Sequence, residues 1–278
     1  MKKRFWWDMM RRLLNISWSN WILALLITFT ISDAYSQSVL SYEKETAPTL
    51  EEIINARETF EYEVSYGFMT LGWIDVELLP DTTFNGEKAY HLRTRIRSNN
   101  RLLFVGTRIV NYESIFQSND QWPYSHLFWR DDIHDEEYDR VRVIFDREEG
   151  MVHFYERGEY QESLELEEPA SGGDIIFYYS RLFTGLEEQY ELPVYTENEK
   201  GTVRAGSSDT VEYRSYDAFD EPIPTYLSEG TADVEGPFGF RGTFKSWFST
   251  DDLRIPVEAH VRIIFGNVKV KLISYERE

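Results

Sequence analysis

Between Tyr90 and Arg97 the sequence alternates without a fault. Tyr90, Leu92, Thr94 and Ile96 fall on one side of an extended chain, and His91, Arg93, Arg95 and Arg97 on the other. A side-chain period of two belongs to a strand with one face on a core and the other in water. The period recurs. Tyr62, Val64 and Tyr66 alternate with Glu61, Glu63 and Ser65; Val257, Ala259, Val261 and Ile263 oppose Glu258, His260 and Arg262; Val268, Val270 and Leu272 oppose Lys269 and Lys271. Further strands are expected at 73–78, 105–116, 124–129, 137–145, 151–155, 190–195, 202–205, 211–213, 226–234 and 238–248. Asn85-Gly86, Glu148-Glu149-Gly150 and Gly266-Asn267 supply tight connections, while 216–225, with Pro222 and Pro224, is expected to be a loop. Roughly a dozen strands exceed what one flat sheet usually carries. A barrel, half-barrel or pair of packed sheets is therefore expected, and the fold class is mainly β, a large antiparallel barrel-like or half-barrel sheet.

Two segments change period. Thr49-Leu50-Glu51-Glu52 has the form of a capping box and opens a short helix to about residue 57. After Gly172-Gly173, Asp174 sits where an N-cap belongs, and Ile175, Tyr178, Tyr179, Leu182 and Phe183 follow at helical spacing until Gly185. This is the one internal helix expected. An aromatic content of 16% suits strands and the half-buried surfaces between sheets.

The N-terminus is organised differently. Lys2, Lys3, Arg4, Arg11 and Arg12 precede an apolar run from Trp21 to Ile31, and Ser32-Asp33-Ala34-Tyr35-Ser36 offers small residues before a cut after Ser36. These are the three parts of a secretory signal. The run is shorter than the roughly 20 residues of a spanning helix. The organisation expected is a signal peptide over 1–36, a tether and short helix over 37–58, and a single β domain over 59–278. An uncleaved anchor is the alternative; after cleavage no integral membrane domain remains. Export to the periplasm or outer envelope of a Gram-negative bacterium follows from the signal and the acidity.

The chain has no cysteine, so a packed core and not disulfides must hold it. Its formal charge is −20, and about −23 without residues 1–36, which carry five basic and two acidic residues. Phosphate backbones want the opposite sign, which argues against nucleic acid as a partner.

Three constellations invite a functional reading. The run Asp131-Asp132-Ile133-His134-Asp135-Glu136-Glu137 has carboxylates and an imidazole, yet no metal-loop spacing; a solvated strand connection is the simpler account. The row His91, Arg93, Arg95, Arg97 is cationic at four successive same-face positions. It suits either cross-strand pairing with Glu61, Glu63 or Glu77, or a docking face for a carboxylate or phosphate head. Asp251-Asp252 beside Trp247 form a carboxylate pair that a strand-to-strand turn also explains. Motifs for hydrolase, kinase or nicotinamide chemistry are missing, so no catalytic residue, no metal site and no cofactor is assigned.

The order of pieces resembles an exported bacterial family, the domain of unknown function 3108. Phe60-Glu61-Tyr62-Glu63-Val64-Ser65-Tyr66-Gly67 with Leu71-Gly72 is similar to its opening strand and turn. Asp174 with Phe177-Tyr178-Tyr179-Ser180-Arg181 is similar to its Asp-led aromatic helix ending in Arg. Trp247-Phe248-Ser249-Thr250-Asp251-Asp252, Ile255-Pro256-Val257 and Gly266-Asn267-Val268 are similar to its closing segments. The likeness spans about residues 60–272 and implies an exported, barrel-like antiparallel fold with no established activity. Asp131–Glu137 lies outside it.

These features converge on a non-enzymatic protein holding an apolar or amphipathic envelope molecule, such as a lipid. Tyr178, Tyr179, Arg93, Arg95 and Arg97 are the candidate ligand-binding residues. The alternatives are an interaction or assembly factor with an envelope protein as partner, and a hydrolase of an envelope polymer using carboxylates of Asp131–Glu137 or Asp251-Asp252.

Overall fold

The computed structural model describes residues 47–101, 107–119, 121–134, 137–197, 199–236, 240–263 and 266–278. The expected signal segment and most of the tether lie outside these residues.

The chain enters through helix α1 (Leu50–Asn55), closed by the expected capping box. Thr49 Oγ1 accepts from the Glu52 amide, and the Glu52 carboxylate accepts from the Thr49 amide. Leu50, Ile53 and Ile54 form its buried side. Eight strands follow: β1 (Thr59–Tyr66), β2 (Met69–Phe84), β3 (Glu87–Ser98), β4 (Arg108–Ser118), β5 (Pro123–His134), β6 (Glu137–Asp146), β7 (Met151–Glu156) and β8 (Glu159–Glu165). A crossing segment leads to β9 (Gln189–Thr196), β10 (Glu199–Arg214), β11 (Ile223–Gly236), β12 (Phe240–Ser249), β13 (Pro256–Ile263) and β14 (Gly266–Glu276).

All fourteen strands belong to one antiparallel sheet. Each of two meanders pairs with its own sequence neighbours, and β1 joins β14 from Thr59 opposite Glu276 to Ser65 opposite Lys269. The free edges are thus β8 and β9, consecutive in the chain. The sheet is not closed there; a seam replaces the ladder. The Tyr195 hydroxyl donates to the Glu165 carbonyl and accepts from the Glu167 amide, both at 2.8 Å, while the Tyr195 amide donates to the Ser171 carbonyl.

The crossing segment fills the space that the curved sheet leaves. It is a composite of a 3₁₀ turn (Gly173–Ile175), helix α2 (Ile176–Tyr179) and a second 3₁₀ turn (Ser180–Leu182). The single helix expected here is therefore three short pieces, and Asp174 is not its cap: it sits inside the first turn and accepts from Ser114 Oγ at 2.6 Å. The spacing of the apolar residues was right because 3₁₀ and α turns both bring i and i+3 to one side. Gly185 does end the segment, at φ +77°, where the Tyr226 ring leaves no room for a Cβ.

Other differences have equally local causes. β8 was missed because an edge strand with a mostly exposed, polar sequence shows no alternation of burial. The stretches 202–205 and 211–213 are one strand, β10, interrupted by a register shift between Ser207 and Val211. Pro224 stands within β11, so the loop is confined to 215–222.

Candidate functional site

The five candidate residues divide between the two faces of the sheet. Tyr178 and Tyr179, adjacent in α2, point into different parts of the core. Tyr178 packs on Phe116 and Phe177 in a cluster with α1, Phe60 and Tyr62; Tyr179 packs on Tyr190 and Phe183 beside β9 and β10. Burial raises the pKa of both hydroxyls. The two rings fill the interior from opposite sides of one turn.

Two charged groups accompany them inward. Arg181 is fully buried; Nη1 donates to Glu58 Oε2 at 2.7 Å and Nε to the Leu253 carbonyl at 2.7 Å. Glu58 also accepts from the Tyr275 hydroxyl at 2.8 Å, so the crossing segment, β14 and the entry to β1 share one polar knot. Asp174 is the second. Burial pushes its carboxyl up to about 7, against the Ser114 hydrogen bond that favours the charged form, and its buried Oδ2 has no partner among the described residues.

Arg93, Arg95 and Arg97 lie on the outer face, where the register sets three cross-strand rows. One runs Glu77, Arg93, Glu113, Trp129 and Arg142; the next Glu61, Asp75, Arg95, Asn111, Asp131 and Arg140; the third Glu63, Trp73, Arg97, Ile109 and Ile133. Arg93 meets acids on both sides, Glu77 at 3.2 Å and Glu113 at 3.6 Å. Glu113 also holds His91 at 2.6 Å. Arg97 reaches diagonally to Asp75, with bonds of 3.0 and 2.9 Å, and to Glu61 at 3.4 Å. The Asp75 bonds raise its pKa.

Arg95 is left over. The acid directly opposite it, Asp75, is taken by Arg97. The acid beyond Asn111, Asp131, is taken by Arg140 at 2.5 and 2.6 Å. Arg95 is exposed, with no ion-pair partner among the described residues, and stands in a half-open groove of about 580 Å³. Glu61, Asp75, Glu77, Asn111, Glu113 and Ser274 line it with Arg93. The pairing expected for this row holds for Arg93 with Glu77 and for Arg97 with Glu61, and leaves one guanidinium available.

The start of the acidic run is not part of a solvated connection, although Ile133, His134 and Glu137, next to the β5–β6 connection, are exposed. Asp131 to His134 are the end of β5, and the strand period sends Asp131 and Asp132 to opposite faces. Asp131 is almost fully buried against Arg140 and the Tyr138 hydroxyl; Asp132 pairs with Arg108. Burial raises the Asp131 carboxyl, but its hydrogen bonds prevail and hold it below the usual range. The bond from Arg108 does the same for Asp132. Residues 135 and 136 lie outside the described residues. Asp251 and Asp252 line a depression of about 400 Å³ with Phe219, Ile223 and Pro224; Asp251 caps its own turn by accepting from the Leu253 amide.

One outer-face cluster had no forecast. Glu258, buried, accepts from Arg214 at 2.7 Å and shares a 2.6 Å bond with His260, while the Trp247 indole donates to Glu212. Arg214 lies over the Trp247 ring at 4.2 Å. Alternation marked Glu258 and His260 as water-facing; the register shift between Trp247 and Phe248, which buries both rings, is invisible in sequence.

Fold and site together define a protein of the antiparallel, barrel-like class, with an aromatic interior plug and a charged outer face. The family described as "Protein of unknown function (DUF3108)" matches residues 61–273, and the chain belongs to it. Among solved structures it is similar to a beta-barrel-like protein of the domain of unknown function DUF1849 from Brucella abortus. The TM-score is 0.50 at 11% identity, over 81% of this chain and 98% of that one, a likeness of fold alone. No curated protein matches the sequence.

Proposed function

We propose that this chain is an exported, non-enzymatic binding module of the cell envelope, which takes the anionic head of an amphipathic molecule at Arg95. The observation that carries this reading is the exposed guanidinium of Arg95, without an ion-pair partner among the described residues, in a groove whose other arginine, Arg93, is already neutralised. A guanidinium offers a planar fork of donors that fits a carboxylate or phosphate with two parallel bonds. The acids around it, Glu276 among them, disfavour a head with several negative charges. The interior gives less support to a swallowed ligand, because Tyr178, Tyr179 and Phe177 occupy the space between the strands. The charged start and apolar run of the N-terminus support export.

The test is titration with octanoate, a singly charged amphiphile kept below its micelle concentration, against wild type and Arg95→Ala. The variant binds about tenfold more weakly or worse, in line with a lost charge-assisted bond, and melts as wild type does. Equal affinity in the two proteins sinks the proposal. Phe68, exposed almost completely, favours a second reading in which the protein also docks on a surface.

A further inference from the structure

Because all neighbouring strands are antiparallel, the connections β1–β2, β3–β4, β5–β6, β7–β8, β9–β10, β11–β12 and β13–β14 lie at one end of the sheet. They are of two kinds. Four are consecutive along the sheet and apolar in sequence: Pro237-Phe238-Gly239, Ile264-Phe265, Gly67-Phe68 and Leu102-Leu103-Phe104-Val105. The three that flank the seam are polar or charged: Asp135-Glu136, Arg157-Gly158 and Glu197-Asn198. Of the apolar four, only the β1–β2 turn lies within the described residues; the others contribute sequence alone.

That turn shows what such a tip offers. Gly67, at φ +59°, reverses the chain, and Phe68 projects with 98% of its surface exposed. Tyr66, also exposed, lays its ring against Gly266 at the start of β14. One exposed Phe means little by itself. Cations at the same strand ends change that. Arg101, Arg262 and Lys269 are exposed and have no ion pair among the described residues, in a chain whose acids outnumber its bases by 49 to 29. Across the sheet Arg262 faces Asn267, and Lys269 faces Ser65 and His260, so no acid stands opposite either.

We propose that this end of the sheet docks on an anionic lipid bilayer. Phe68 enters below the headgroups, Tyr66 sits at their level, and Arg101, Arg262 and Lys269 meet the phosphates. Arg157, Gly158 and Glu197, in the turns by the seam, stay in water. The chemistry gathered here argues for an anionic bilayer: a fully exposed apolar ring at the turn, an amphipathic aromatic ring beside it, and exposed cations without acid partners at the strand ends of an otherwise acidic chain.

The absence of cysteine makes the test specific to position. The full chain is prepared as Phe68→Cys and, as a control at the charged part of the same end, Tyr160→Cys, each labelled with an environment-sensitive fluorophore. On vesicles containing phosphatidylglycerol the label at 68 shifts to the blue, and the label at 160 does not. Arg262→Glu with Lys269→Glu, at unchanged melting temperature, weakens the response at 68 about tenfold or more. A label at 68 that stays in water while the chain sediments with vesicles overturns the proposal. So does an equal shift on phosphatidylcholine alone, a failure to bind vesicles, or a response only to an envelope protein fraction. The Arg95 groove shares no residue with this end and is untouched by these outcomes.

Discussion

Arg181 and Arg97 each hold a carboxylate, in opposite surroundings. Arg181 is sealed between the crossing segment and β1, with Glu58 at 2.7 Å and a side-chain exposure of 0%. Arg97 stands on the outer face, bonded twice to Asp75 with 37% of its side chain in water. Inside, removing one partner strands a charge that water cannot reach. Outside, water and salt replace the partner at little cost. The buried pair therefore governs how the plug is seated, and the outer pairs govern which cations remain available.

The largest effect that sharpens this contrast is expected from Arg181→Met. Leaving Glu58 unpaired should cost about 3–5 kcal/mol, read from the urea midpoint, and adding Glu58→Leu should recover much of it. A single variant as stable as wild type would break the contrast at its strong end.

Asp174 comes next. Its carboxyl, pushed up to about 7 in the folded protein, sits near 3.9 when unfolded, the usual value for Asp. Between these values the folded state binds more protons, so stability falls as pH rises from about 4 to about 7 and is level on either side. Asp174→Asn removes that slope. It should gain on the order of 2–4 kcal/mol over wild type at pH 8, and little at pH 4. Parallel stability curves for the two proteins would contradict the inward placement of this group.

The outer face should respond weakly. Arg97→Ala is expected to cost about 1 kcal/mol or less, diminishing as salt is raised, in the same urea measurement. Arg95→Ala should leave the midpoint unchanged and lower only anion affinity. If Arg95→Ala destabilised as much as Arg97→Ala, the guanidinium would have a partner and the groove would lose its function.

Much of the strand pattern was legible from side chains two residues apart. Leu92 and Ile96 are buried, and the four cations opposite them face out, as alternation required. The Asn85-Gly86 turn takes positive φ at both residues, as a two-residue hairpin demands. β8 escaped because an edge strand has no buried face to reveal it. At the candidate site the Arg row was visible, but not which of its members would be free. That depends on Asp75 bonding diagonally to Arg97 and not straight across to Arg95.

The sequence by itself determined the periods, the turns, the α1 cap and the sign of each face, because these depend on residues a few positions apart. Tertiary structure alone decided that β1 meets β14, that Glu58 finds Arg181 across 123 residues, and that Asp174 is driven inside. Register, closure and burial sum over the whole sheet, and no local spacing encodes them.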